Sequence, residues 1–234
     1  MDRPSDVPSV SVIVIVKDGE AFLAGALASI FESELKPREI LVVDAGSRDR
    51  TAEIAAGFPL VTVVPQASRG IANAYNEGIT RAGGELIAFL SHDDLWLPGK
   101  LDVQVEYMVR HPHLLYTVAM VEHFLDAGRD PPPSFRRELL GKSQPGVIME
   151  TLVARRRIFE LVGGFDPHYS VSEDTDWFAR ARDAGIPMAI LPQVLLKKRI
   201  HGRNATLESN ATNKFLLRAM RSSIARKRAA GHRR

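Results

Sequence analysis

Residues 10–16 read Val-Ser-Val-Ile-Val-Ile-Val and stop at Lys17-Asp18-Gly19. A run that is β-branched almost throughout, with no apolar–polar alternation, is a strand buried on both faces, as parallel sheets require. Such a sheet needs helices above and below it. Phe22, Leu23, Ala26, Leu27 and Ile30 recur at helical spacing over residues 20–31. Pro37 breaks the chain, and residues 39–44 form a second strand ending in Asp44. Ala45-Gly46-Ser47 turns into a helix over 51–56, followed by a strand over 60–64, a helix over 70–82 and a strand over 85–90. This alternation predicts an α/β fold: a doubly wound, mostly parallel, Rossmann-like sheet with helices on both faces.

The second half is less regular. The pattern predicts a helix over 100–110 closed by Pro112, and a strand over 114–121. Residues 126–144, with Pro131-Pro132-Pro133 and many charges, read as a loop or lid, a length of chain that usually carries function. Apolar character returns over 147–154, and a short helix over 156–161 ends at Gly163-Gly164. A helix over 174–184 has Ser172 or Glu173 near its N-cap and Gly185 after its end.

In doubly wound sheets, ligands sit at the carboxyl ends of the strands. Asp44 ends the second strand, and Ser91-His92-Asp93-Asp94 follows the fourth. Paired aspartates at a strand end suit a hard divalent cation that keeps open positions for substrate phosphates, although aspartate is also common in solvated turns. Residues 172–177, Ser-Glu-Asp-Thr-Asp-Trp, cluster acids at a helix start. There they either complement the helix dipole or supply a carboxylate that takes a proton from an acceptor hydroxyl. His201, within Lys198-Arg199-Ile200-His201-Gly202-Arg203-Asn204, reads either as an ordinary surface histidine or as the imidazole that completes a carboxylate-rich metal site.

The order of these motifs resembles glycosyltransferase family 2, the inverting enzymes of GT-A fold, from Val10 to about Asn204. Residues 42–51 are similar to the family's nucleotide-binding segment, and residues 69–79 (Arg-Gly-Ile-Ala-Asn-Ala-Tyr-Asn-Glu-Gly-Ile) to its donor-contacting helix. Residues 91–94 stand at its aspartate metal motif. Residues 162–166 with Glu173-Asp174 match the acceptor-side segment and catalytic base, and Arg199-Ile200-His201 a late metal-binding motif. The resemblance implies transfer of a sugar from a nucleotide-diphosphate donor, UDP by default, to a saccharide, glycolipid or other hydroxyl acceptor. It implies Mn²⁺ or Mg²⁺ held by Asp93 and His201, with Asp174 as general base and Glu173 orienting it or sharing the role. Asp44 would hydrogen-bond the nucleotide base, and Ile15, Lys17 and Asp18 would line that pocket. Arg69, Asn73, Asn76, His92 and Asp93 would contact the donor, and Gly164, Phe165 and Trp177 would lie on the acceptor side, Trp177 more as packing than as a stacking platform. Three positions depart from the family pattern: Ile15 replaces a proline, Ala45 an aspartate, and Ser91 the first acid of the metal motif, which leaves Asp93, with Asp94, to carry the ion.

Rival readings on a similar fold are a non-catalytic nucleotide- or sugar-binding protein and a sugar-phosphate nucleotidyltransferase. The glycine-rich segment that the latter and dinucleotide enzymes need after the first strand is missing, and no nucleophile elbow serves Ser-His-Asp hydrolysis. A chain of 234 residues with 25% charged residues fits one globular domain, over 1–210, and a basic helix or tail over 211–234. The absence of cysteine removes thiolate chemistry and fits a reducing compartment. With a polar start and an apolar run too short to span a bilayer, the expected location is cytoplasmic or peripheral to the inner membrane face. From residue 211 onward there are eight Lys and Arg and no acid. Residues 215–224 are expected to pack on the catalytic domain, and contact with an anionic membrane stays open for 226–234. No nucleic-acid partner is expected, since no recognition module accompanies the charge.

Overall fold

The computed structural model describes residues 7–202, 204 and 209–231. Strands β1 (Val10–Val16), β2 (Glu39–Asp44), β3 (Val61–Pro65) and β4 (Leu86–Ser91) alternate with helices α1 (Leu23–Ile30), α2 (Thr51–Ala56) and α3 (Ile71–Arg81). The strands run parallel in the order β3-β2-β1-β4. Registers place Val16 beside Asp44, Asp44 beside Pro65, and Ile15 beside Ser91, so these strands finish level with one another. The loops that follow β1, β2 and β4 therefore open on one crevice.

Both faces of this sheet are buried, as the first strand requires. Ile13, Leu41, Val43, Ile87 and Phe89 pack on one side with α3. Helices α5 (Arg157–Val162) and α6 (Glu173–Asp183) join that core. Val12, Val14, Ile40, Val42, Ala88 and Leu90 pack on the other side with α1 and with α4 (Lys100–Arg110). Alternate residues of each strand thus feed two separate cores.

Beyond β4 the sheet becomes mixed. Short β8 (Val153–Arg155) pairs antiparallel with β4 and with β6 (Tyr116–Phe124). Next comes β9 (Met188–Arg199), parallel to β6, and two-residue β5 (Leu95–Trp96) closes that edge, antiparallel to β9. Within the loop expected over 126–144, Arg137–Leu139 forms a single 3₁₀ turn, and β7 (Ser143–Pro145) pairs with β6.

The twelve residues of β9 carry no strand signal in sequence, because Pro192 interrupts them and Lys197-Lys198-Arg199 ends them. The register explains how the strand survives. Ala119 faces Leu191 and Met120 faces Val194, so exposed Pro192 and Gln193 are passed over in an irregularity where no ladder bond is lost to proline. Helix α7 (Ser209–Gly231) lies on α6: Ser223 Oγ donates to Asp183 Oδ1 at 2.9 Å, and Arg226 Nε to Asp183 Oδ2 at 2.9 Å.

Helix α3 approaches β1 closely at Gly78, where an added Cβ would stand 2.5 Å from Ile13 Cγ2. Alanine normally stabilises a helix interior by about 1 kcal/mol over glycine. Here the fully buried, β-branched Ile13 has no room to turn away. Gly78→Ala is expected to destabilise the fold by about 1–3 kcal/mol, measured by urea unfolding.

Candidate active site

The loops after β1 and β2 are laced together by short polar side chains. Ser47 donates its N–H and its hydroxyl to Asp44 Oδ1, at 2.9 and 2.6 Å, and Ser47 Oγ accepts the N–H of Asp18 at 2.9 Å. Asp18, in a left-handed turn at φ 50°, accepts the N–H of Arg48 at 2.9 Å. Thr51 Oγ1 accepts from Gly19 N at 2.8 Å, and Asp49 Oδ2 from Glu20 N at 2.9 Å. These bonds fix one wall of the crevice, with Ile15 half-buried and Lys17 and Asp18 exposed. Arg69, exposed, and Asn73 stand at the start of α3, where Asn73 Nδ2 donates to the Arg69 carbonyl at 2.7 Å.

At the end of β4, Asp93 Oδ2 lies 2.9 Å from His201 Nε2. Burial works against the Asp93 charge, but the bond to His201 and the nearby His92 and Lys198 outweigh it and hold its pKa down, at about 2. A carboxylate oxygen beside an imidazole nitrogen is a suitable donor pair for Mn²⁺ or Mg²⁺. Among the described residues no group of three such side chains gathers to hold an ion. Asp93 and His201 would be the two protein groups to hold such an ion. His92, expected on the donor side, is half-buried, and burial lowers its pKa.

Asp94 does not share the metal role expected of it. It is fully buried, accepting from Lys198 Nζ at 2.9 Å and from the Arg199 N–H at 2.8 Å. Arg199 donates Nε to the Asp93 carbonyl at 2.9 Å, and its guanidinium lies between the rings of Phe22 and Phe124 and pairs with Asp126. Phe22 in turn stacks on His201, with ring centroids 5.3 Å apart. The late motif therefore clamps the aspartate loop with side chains from β9.

Lys198 reaches a second acid that no motif in the sequence singles out. Its Nζ stands 3.2 Å from Glu150 Oε1, to which Ser91 Oγ also donates at 2.7 Å. Burial opposes the Lys198 ammonium, but Asp94 and Glu150 outweigh it and raise its pKa well above the ordinary lysine value. Glu150 sits in a single 3₁₀ turn, Met149–Thr151, held by three carbonyl bonds. Trp96 Nε1 donates to the Glu150 carbonyl at 3.1 Å, Gln104 Nε2 to that of Thr151 at 3.0 Å, and Lys100 Nζ to the same oxygen at 3.5 Å.

Glu173 and Asp174 enter the crevice from the first turn of α6, after Ser172 in a left-handed conformation, φ 65°. Asp174 Oδ1 accepts the N–H of Thr175 at 2.6 Å. Burial, reinforced by Glu150, pushes Asp174 up to about 6. Burial, reinforced by Asp174, pushes Glu173 up to about 8, and its Oε2 is buried with no hydrogen-bond partner among the described residues. Tyr75 of α3 faces the same acids and its hydroxyl meets Ser91.

The acceptor-side expectations are corrected in part. Phe165 and Trp177 are 2% and 0% exposed, packed with Tyr75, Phe89 and Phe159, so neither ring can meet a sugar. Trp177 Nε1 donates to the Gly163 carbonyl at 3.1 Å, and Arg180, paired with Asp176 at 2.8 Å, donates to that of Gly164 at 2.7 Å. Asn76, expected to contact the donor, instead exchanges two 2.8 Å bonds with the Phe165 backbone. An added Cβ on Gly164 would fall 2.4 Å from Asn76 Oδ1, so glycine is needed there for the two segments to meet. Asn76, Gly164, Phe165 and Trp177 build the floor that aims α6 at the crevice.

The fold and the site together describe an α/β domain that gathers an acid–imidazole pair and two adjacent acids at the carboxyl ends of its strands. The family model described as "Glycosyl transferase family 2" matches residues 11–166, and the chain belongs to that family. An uncharacterised glycosyltransferase of Rickettsia typhi is 27% identical over 212 residues, covering 85% of this chain and 66% of the relative. An amylovoran biosynthesis glycosyltransferase of Erwinia amylovora is 26% identical, covering 82% of this chain and 75% of the relative. Among solved structures, S. aureus TarS 1-349 in complex with UDP-GlcNAc superposes with a TM-score of 0.70 at 18% identity. A mannosyltransferase from Pyrobaculum calidifontis, in complex with GDP-Man and Mn²⁺, gives 0.70 at 22%. Both alignments cover 93% of this chain but only 66% and 64% of the solved chains. The GT-A fold follows from these likenesses; this chain spans about two thirds of the length of the Rickettsia relative and of the two solved chains.

A carboxyl group whose pKa rises on folding makes its stabilising contribution below its unfolded pKa and loses it as pH rises through the folded value. For Glu173 that window runs from about 4.3 up to about 8. Glu173→Gln does not ionise, so its stability relative to the native chain is expected to improve steadily from pH 5 to pH 8.5 in urea unfolding. A pH-independent difference would show that Glu173 does not ionise against the fold.

Proposed function

We propose that this chain transfers a sugar from a nucleotide-diphosphate donor, UDP-linked in the favoured case, to an acceptor hydroxyl with inversion at the anomeric carbon. The observation that carries the reading is the convergence of the Asp93–His201 pair and the Glu173–Asp174 pair on one crevice, with Lys198 close enough for its charge to bear on all three carboxylates. Family membership supports the reaction class. The donors named for the solved relatives, UDP-GlcNAc and GDP-Man, support a nucleotide sugar as partner.

The donor's base would lie against the laced loops, where Asp44 offers a carboxylate already oriented by Ser47. Asp93 and His201 would hold Mn²⁺ or Mg²⁺, which when bound offsets negative charge on the diphosphate. Asp174 takes the proton of the acceptor hydroxyl as that oxygen bonds to the anomeric carbon. The bond to the diphosphate breaks on the opposite face, and the nucleotide leaves with the electron pair. A pKa of about 6 makes Asp174 a stronger base than an ordinary aspartate while leaving it mostly ionised at neutral pH. Burial and the neighbouring Asp174 push Glu173 up as well, so the base role falls to Asp174, with Glu173 left to orient it or share the role.

Asp174→Asn is expected to lower kcat by about 10²–10⁴-fold with donor binding unchanged, and wild-type turnover by that variant would remove Asp174 from the base role. In the native chain kcat/KM is expected to fall tenfold per pH unit below about pH 6. Calorimetric titration of UDP and of GDP, each with and without Mn²⁺, tests the donor side. Binding should require Mn²⁺ and be lost in Asp93→Ala. Nucleotide binding without turnover against a panel of sugars and acceptors would instead favour a binding protein on this fold.

A further inference from the structure

Helix α7 has two faces of different character. Its inner face packs on the domain: Ala219 and Ser223 are buried, Ser223 and Arg226 bond Asp183, and Phe215 packs on Tyr169 with ring centroids 5.6 Å apart. Its outer face carries Leu217, Met220 and Ile224, which are 54%, 61% and 49% exposed. Positions i, i+3 and i+7 lie on one stripe of a helix. The other exposed large apolar residues, such as Leu60, Val109 and Leu161, stand singly on different elements, which is ordinary for a soluble surface. The α7 stripe is bordered on the same outward side by Lys214, Arg221 and Arg228, all exposed, and residues 211–234 hold no acid.

We infer that the outer face of α7 docks on an anionic lipid surface. Cations interleaved with an apolar stripe suit a bilayer interface, where Leu, Met and Ile enter the acyl boundary while Lys and Arg side chains extend to the headgroups. The same charges argue against the other occupants. A second copy would set Lys214 and Arg221 against like cations, and a nucleic acid would leave the apolar stripe in water. Nothing in this inference depends on the reaction proposed above. Residues 215–224 thus use both sides of one helix, the inner side on α6 and the outer side on lipid, and the membrane-facing part begins well before residue 226. No helix among the described residues is long and apolar enough to cross a membrane, so the contact is with the surface.

The test is co-sedimentation of the full chain with phosphatidylcholine vesicles and with 3:1 phosphatidylcholine–phosphatidylglycerol vesicles, at low and at physiological salt. Binding is expected to the anionic vesicles, weaker at physiological salt, and not to the neutral ones. Two variants separate the contributions: Leu217→Ser/Met220→Ser/Ile224→Ser and Lys214→Glu/Arg221→Glu. Each is expected to weaken binding at least about tenfold with an unchanged thermal unfolding midpoint, because all five side chains point outward. The inference is overturned if the native chain ignores anionic vesicles at low salt, or if both variants bind them as the native chain does. It is equally overturned if sedimentation velocity shows a dimer that the apolar variant dissociates and that does not bind vesicles, which would assign the stripe to a second copy. No nucleotide enters the assay, so its failure is distinct from a failure of glycosyl transfer.

Discussion

The Lys198 ammonium is the interaction on which the site depends. It stands between two buried acids, Asp94 at 2.9 Å and Glu150 at 3.2 Å, while Glu173 and Asp174 crowd the same volume. Buried carboxylates without a counter-charge repel one another and are costly to ionise. One cation among them lets Asp94 hold the backbone of β9 in place and lets Glu150 stay oriented by Ser91. It does not neutralise all four. The remaining excess of acid, together with burial, keeps Asp174 and Glu173 above the usual carboxylate range.

The two walls of the crevice are built by different physics. One wall is a set of turns closed by Ser, Thr and Asp side chains bonding backbone N–H groups, which is local chemistry following directly on strand ends. The other wall is a helix aimed by an aromatic floor. Asn76 ties α3 to the Phe165 backbone, Trp177 and Arg180 tie that segment to α6, and the first turn of α6 then carries Glu173 and Asp174. Asn76 and Phe165, which resemble ligand contacts in sequence, are supports of that wall, together with Trp177, which packs as expected. Their polar and aromatic character serves hydrogen bonds and packing inside the protein.

Much of the first half was legible because its strands are buried on both faces and its helices keep a 3.6-residue period. Strands β1, β2 and β4 and helices α2 and α4 fall within a residue or so of their expected limits. The second half was harder to read because its strands are short or interrupted. Three-residue β8 and two-residue β5 carry no period of their own, and β9 shifts register twice against β6. These elements exist because neighbouring strands pair with them, a condition that local propensity does not encode.

By itself the sequence determined the order of strands and helices and which acids end strands or begin helices. Strand-end and helix-start positions follow from local patterns, so Asp44, Asp93, Glu173 and Asp174 stood out before any fold was known. Tertiary structure alone decided which of the adjacent aspartates at 93 and 94 faces His201 and which is paired with Lys198. It also brought Glu150, 59 residues along the chain from Ser91, to that serine's hydroxyl. The physical reason is that a charge's role depends on its burial and on its partners across the sheet. Those are set when β9 and the 3₁₀ turn at Met149–Thr151 close over the end of β4.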